Sequence, residues 1–344
     1  MNNNPKSDTS PARSLIVFEK HAASSHPNHL RKLGAALLAA TVLVATSWSM
    51  VKTATYAQEG QPRIGVILGG GGETGVAWET GVLAALADKA GLTFDKVEIV
   101  VGTSAGALAG QYYASGADLD QQVENERTGN VVSAPLAAGE GMSAIPPEVF
   151  AALTSTEGTI EERGQRIGKL AIEAKPGVTS DQLVGYVGTM LVGANWPDQV
   201  DLRVTTVNAE TGKTVLWDRD DGVPLAAAIA SSAAVPGFMP AVEINGAFYT
   251  DAPRTPFSPQ IVAEADLDAI VYIGMPTPNL SNTIEEDALA KLETEGLKVV
   301  RITGGEGSEA LIYGALDPAL RPTAVEVGLA DGAAAAEAVA ALLK

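Results

Sequence analysis

No cysteine occurs anywhere in this 344-residue chain. Disulfide staples and a lipobox cysteine are therefore excluded. The redox compartment stays open, because export does not require disulfides. Histidine is almost as scarce: His21, His26 and His29 are the only three, and all precede residue 30. Any proton transfer later in the chain must use another group. Basic residues are the third shortage. The net charge is −18; the first 57 residues hold six Lys/Arg against two acids, which leaves 17 bases against 39 acids, or −22, for the rest. Such a body is repelled by phosphate backbones and anionic membrane surfaces, so nucleic-acid binding is excluded.

Charge is missing altogether from residues 33–51, LGAALLAATVLVATSWSMV. Arg31 and Lys32 precede this run, and Thr55-Tyr56-Ala57 follows with the small-residue spacing of a signal-peptidase site. Residues 33–57 are expected to be a signal peptide or a membrane anchor, with membrane association through 33–51. The basic pair places the following chain outside the cytoplasm, exported or anchored. Residues 1–32 read as a disordered polar leader. Residues 58–344 suffice for one large domain with a generous core.

Residues 63–68, RIGVIL, form a short apolar run ending at four glycines. They are expected to be a buried parallel strand. Val76, Trp78, Val82, Leu83 and Leu86 then recur at helical spacing. Residues 97–101 read as a second buried strand and 105–115 as a second helix rich in small residues. Strand, helix, strand, helix implies an α/β fold, with a mainly parallel sheet covered by helices. The segment 117–199 is polar and broken by prolines, with apolar patches at 149–153 and 190–196; it reads as helical insertions over a site. Residues 202–208 and 214–217 form one hairpin; 242–244 and 247–249 form another around Asn245-Gly246. Residues 225–231 are a short helix, 269–273 and 298–302 further strands, and 325–343 a terminal Ala-rich helix. No fixed-period repeat is present.

Three segments carry chemistry. Gly102-Thr103-Ser104-Ala105-Gly106 fits G-x-S-x-G between a strand and a helix. In such an elbow the serine sits on a strained turn, and Gly102 and Gly106 give room to the flanking elements. With histidine absent from residue 30 onward, a Ser104 nucleophile needs a carboxylate as its base. Gly69-Gly70-Gly71-Gly72 lies between a strand and a helix N-terminus, where converging N–H groups suit a developing oxyanion. The spacing Gly70-x-Gly72-x-x-Gly75 also satisfies a dinucleotide fingerprint, but the next strand ends in Gly102-Thr103-Ser104 rather than in a ribose-binding acid. Asp251 closes the apolar strand ending in Thr250, a placement typical of ligand sites, and competes as base with Asp201, Asp218 and Asp266. Asp218-Arg219-Asp220-Asp221-Gly222 has the glycine too early for a calcium loop and reads as a solvated turn. These segments call for no metal and no cofactor.

The glycine loop, G-x-S-x-G and a later Asp-Gly/Ala, in that order and without histidine, resemble the motifs of the patatin-like phospholipases. Val76-Ala77-Trp78-Glu79-Thr80-Gly81-Val82-Leu83 and Ala233-Ala234-Val235-Pro236-Gly237-Phe238 extend the resemblance across roughly residues 62–275. It implies a three-layer patatin-like fold. It also implies a serine acyl hydrolase in which Ser104 attacks a carboxylic ester, Asp251 serves as base and the amides of Gly70, Gly71 and Gly72 hold the oxyanion. A catalytically weak lipid-binding protein of the same fold is the alternative, and dinucleotide binding a lesser one. The chain departs from the pattern in two places. Ala252 stands for the second residue of Asp-Gly. Glu73-Thr74 stands where family members often carry Arg or Lys, so a cation beside the oxyanion is expected to be missing.

Overall fold

A computed structural model describes residues 60–131, 146–174, 176–252, 254–275, 282–305 and 307–344. The leader and the apolar run expected as a signal peptide or anchor lie outside the described residues. Among those described, no helix is long and apolar enough to cross a membrane.

Strand β1 (Ile64–Leu68) enters the glycine loop, and helix α1 (Gly72–Ala90) starts inside that loop, ahead of the first periodic apolar residue. Strand β2 (Ile99–Thr103) lies two residues beyond the expected span, because Phe94–Lys96 winds a 3-10 turn first. Helix α2 (Ala105–Ala114) follows directly. The proline-broken middle folds as α3 (Leu119–Thr128), α4 (Pro147–Thr154), α5 (Ile160–Glu173) and α6 (Ser180–Met190). Thr159 and Thr179 open the last two with capping boxes to Glu162 and Gln182. The first hairpin is β3 (Asp201–Asn208) with β4 (Thr214–Trp217), and α7 (Leu225–Ser232) comes next. The second is β5 (Val242–Ile244) with β6 (Ala247–Thr250); Asn245 and Gly246 turn it at φ 52° and 80°, as a tight primed turn requires. Then come α8 (Ser258–Ala265), β7 (Ala269–Ile273), α9 (Asn282–Thr294), β8 (Lys298–Ile302), α10 (Ser308–Tyr313) and α11 (Arg321–Leu342).

All eight strands join one sheet in the order β5-β6-β3-β2-β1-β7-β8, with β4 also on β3. The centre is parallel, and the two hairpins add an antiparallel edge. Side-chain alternation sends Ile64, Val66 and Leu68 into one core with Trp78 and Leu83 of α1 and Val325 of α11. Ile67 faces the other way, against Phe257, Ile261 of α8 and Leu289 of α9. The result is the expected three-layer α/β arrangement. The chain leaves β1 toward β2 and returns on the other side of β1 as β7, so the carboxyl ends of β1 and β2 lie where strand order reverses.

Helix α11 lies unusually close to α1. A Cβ on Gly328 would stand 2.0 Å from the Trp78 carbonyl oxygen, and one on Gly81 would stand 2.4 Å from that of Val325. Trp78 Nε1 donates to Asp331 Oδ2 at 2.8 Å across the contact. The docking carries the first residue of α11, Arg321, to the carboxyl end of the sheet.

Candidate active site

Ser104 stands between β2 and α2 with φ 53° and ψ −113°. Three described non-glycine residues have positive φ, and the other two are Asn245 and Asp266, whose side chains tolerate the left-handed region. Ser104 has no such excuse, so its conformation is imposed by the flanking elements. The imposing contacts are visible. A Cβ on Gly102 would lie 2.3 Å from the Gly106 carbonyl oxygen, and one on Gly106 would lie 2.6 Å from that of Gly69. Ser104 N donates to Ser232 Oγ at 2.7 Å, and Thr103 Oγ1 meets Thr205 Oγ1 at 2.6 Å. These bonds lock the turn from the β3 and α7 side.

The glycine loop abuts this turn. Gly106 N donates to Gly69 O, and a Cβ on Gly70 would touch Ser104 Cβ at 3.6 Å. Gly69 N is used by Ile273 O, Thr74 N by Ala315 O and Gly75 N by Gly71 O. Among the described residues, no backbone carbonyl outside regular elements takes the amides of Gly70, Gly71 or Gly72. Gly72 is held at φ 64° with its Cα against Ala315, where a Cβ would lie 2.3 Å from the carbonyl oxygen. The first amides of α2 and the positive end of its dipole lie beside Ser104 as well.

Ser104 lines a cavity of about 90 Å³ together with Gly72, Leu183, Tyr186, Met190 and Phe238. This is smaller than the roughly 150 Å³ that encloses a benzene molecule, so it seats a few methylenes rather than a whole lipid. Helix α6 forms one wall, which places one of the middle helices over the site. Of the two apolar patches expected there, Met190 reaches the cavity, while Val149 and Leu153 pack with Ile167, Val207 and Ala252 in a satellite core.

Asp251 follows β6 directly. Its N–H donates to Ala234 O at 3.0 Å, and Thr250 Oγ1 donates to the same oxygen at 2.7 Å. Ser232 and Ala234 thus anchor Ser104 and Asp251 within one three-residue segment at the end of α7. The Asp251 carboxylate pairs with Arg254, Nη2 to Oδ1 at 2.7 Å, and no described hydrogen bond joins it to Ser104. The rival acids are elsewhere. Asp201 pairs with Arg203 at the opposite end of the sheet, beside Ile99; Asp218 accepts from Asp220 N in a turn; Asp266 ends α8. None of these three lines the cavity, and neither does Asp251.

The missing cation is a correction to the sequence reading. Thr74 is fully buried and bonded to Leu311 O at 3.0 Å, so that position does not face the cavity. Arg321 supplies a cation there instead. It lines the cavity, is 3 % exposed, bonds Glu126 through Nε and Nη2 at 2.7 Å each, and pairs with Glu73. Burial works against its charge, but the hydrogen bond and charge of Glu126, with Glu73 adding, hold its pKa above the ordinary value. Burial pushes the Glu126 carboxyl up, and Arg321 pulls it back. Tyr186 is pushed up by burial and then by the Glu73 charge. Sequence reasoning missed Arg321, Glu126, Arg254 and Ser232; the adjacent serines Ser231-Ser232, next to the quoted Ala233–Phe238 stretch, were the one signal available. Among the described residues no cluster of His, Asp and Glu could hold a metal ion.

The chain is similar to several solved structures at low identity. VipD from Legionella pneumophila is 14% identical, over 83% of this chain and 69% of that one, with TM-score 0.38. The type III effector ExoU of Pseudomonas aeruginosa is 16% identical over 81% and 53%, with TM-score 0.38. Human GIVD cytosolic phospholipase A2, in complex with methyl gamma-linolenyl fluorophosphonate, is 11% identical over 82% and 58%, with TM-score 0.47. The chain thus spans little more than half the length of the last two. No curated protein matches it. Residues 66–252, which run from β1 through the glycine loop and the elbow to Asp251-Ala252, match the model of the patatin-like phospholipases, and the chain belongs to that family of lipid hydrolases.

Proposed function

We propose that this protein hydrolyses carboxylic esters of lipids through a Ser104–Asp251 dyad and an acyl-enzyme. The observation that carries this reading is the strained Ser104 lining an apolar cavity, with Gly70 at its side and, among the described residues, no loop or turn carbonyl on the amides of Gly70, Gly71 and Gly72. Ser104 Oγ adds to the ester carbonyl as its proton passes to the Asp251 carboxylate. The Gly70, Gly71 and Gly72 amides receive the charge that develops on the carbonyl oxygen. The bond to the alcohol breaks, the alcohol takes the proton from Asp251, and acyl-Ser104 remains. Water then gives its proton to Asp251 and attacks the acyl carbon; Ser104 recovers a proton and the carboxylic acid leaves. Catalytic hydrogen bonds commonly tighten only when substrate is bound, which suits a dyad whose bond is not closed in the free protein.

The apolar wall favours an acyl chain, and the net −1 of Glu73, Glu126 and Arg321 beside it disfavours anionic substrate groups. The expected export or anchoring through residues 33–57 belongs to the same proposal, and N-terminal sequencing of the mature protein tests it. The test of the activity is a serine-reactive phosphonate on native protein and Ser104→Ala. Labelling and ester turnover should both vanish in the folded variant. Turnover above background in Ser104→Ala refutes the assignment.

A further inference from the structure

We infer that Arg254 is a positioning residue for the base, clamping the Asp251 carboxylate so that one oxygen is held and the other is left to face Ser104. The inference rests on the dyad reading above. Arg254 is 4 % exposed, an unusual place for a guanidinium unless its charge is partnered. Its two terminal nitrogens do different work. Nη2 donates to Asp251 Oδ1 at 2.7 Å, and Nη1 donates to the Ala252 carbonyl oxygen at 3.0 Å. One planar group therefore ties the side chain of Asp251 to the backbone of the next residue. A planar fork fixes direction as well as distance, which a lysine ammonium cannot do at two acceptors. Because Oδ1 is taken, a proton from Ser104 has Oδ2 as its acceptor.

Arg254 also borders a second cavity. A small cavity of about 20 Å³ is lined by Arg254, Tyr272, Glu285, Thr103 and Gly69. It is large enough for one water. Arg254 Nε and the Tyr272 hydroxyl are buried with no protein hydrogen-bond partner. Glu285, 6 % exposed, is fixed by the N–H groups of Phe257 and Ser258 at 3.0 and 2.9 Å. The guanidinium thus bonds the Asp251 carboxylate and shares a cavity with a second buried carboxylate on α9, Gly69 and Thr103. Arg254 is the charged side chain that the described residues bring into contact with Asp251; Glu285 and Tyr272 face Arg254 from α9 and β7.

The experiment compares native protein, Arg254→Lys and Arg254→Met on a soluble neutral ester, with thermal unfolding measured alongside. In Arg254→Met kcat should fall on the order of 10²-fold, the size expected when a catalytic group is displaced by about 1 Å. KM should change less than threefold, because Arg254 does not line the cavity that holds Ser104. Arg254→Lys should recover only part of kcat, because an ammonium cannot hold both acceptors at once. A role in stability alone would lower Tm and leave the kcat of the folded fraction unmoved, and that result overturns the inference. If Arg254→Met fails to fold, Arg254→Lys decides it: native kcat in that variant also overturns the clamp. Loss of the dyad reading itself shows separately, as turnover in Ser104→Ala.

Discussion

Arg321→Met should be among the most damaging single changes outside the dyad. The native guanidinium is 3 % exposed, makes two 2.7 Å bonds to Glu126 and pairs with Glu73. Methionine fills a similar volume but removes the cation from Glu126, whose side chain is 2 % exposed. Removing one partner from a buried pair costs about 3–5 kcal/mol, because the stranded charge cannot return to water. At roughly 2–3 °C per kcal/mol for a body of this size, Tm should drop by about 6–15 °C at pH 8. The deficit should shrink toward pH 5, since burial already favours the protonated Glu126 and no cation would then oppose it. Adding Glu126→Leu should recover most of the loss, because an apolar pair can replace a buried ion pair at little cost. Thermal unfolding of the three proteins at both pH values reads all of this. A single variant within 2 °C of native at pH 8, or a double variant worse than the single, refutes the energetics.

Asp251→Asn should slow ester turnover on the order of 10³-fold, since an amide cannot take the serine proton, while replacing His21, His26 and His29 together with alanine should leave the rate unchanged. Steady-state rates decide both, and a large loss from the triple change would assign the base to the leader. Glu79 sits on α1 at 1 % exposure with Oε2 unpartnered, and burial raises its pKa well above 4.5. The folded state therefore binds that proton more tightly than the unfolded chain, so native stability is penalised progressively as pH rises above 4.5. Glu79→Gln should match native protein near pH 4 and exceed it by about 1–3 kcal/mol at pH 8; equal denaturation midpoints at both pH values would contradict this. Gly106→Ala would drive a methyl to within 2.6 Å of the Leu68 and Gly69 backbone, costing about 1–3 kcal/mol and moving Ser104, whereas Gly185→Ala on α6 meets nothing within 4 Å and should stabilise by about 0.5–1 kcal/mol. Chemical denaturation separates the pair, and similar effects at the two sites would defeat the steric account.

Much of the architecture was readable from residues alone because its causes are local. Ala269–Ile273 and Lys298–Ile302 form strands where short apolar runs stand between turn signals, and Asn245-Gly246 turns a hairpin because few other pairs accept two positive φ values. The elbow was legible for the same reason: Gly102 and Gly106 are steric requirements written within two residues of Ser104. Element starts were less legible. Helix α1 begins within a glycine run that carries no apolar periodicity, and α8 is too short to show one. Only the tertiary structure decided the electrostatics of the site. Arg321 is 195 residues from Glu126 and 248 from Glu73, and it reaches them because glycines let α11 lie against α1. Arg254 is three residues from Asp251, yet nothing in that spacing says its side chain turns inward. A charged residue has the same letter whether solvated or buried, and its partner is chosen by packing among elements that the chain brings together only on folding.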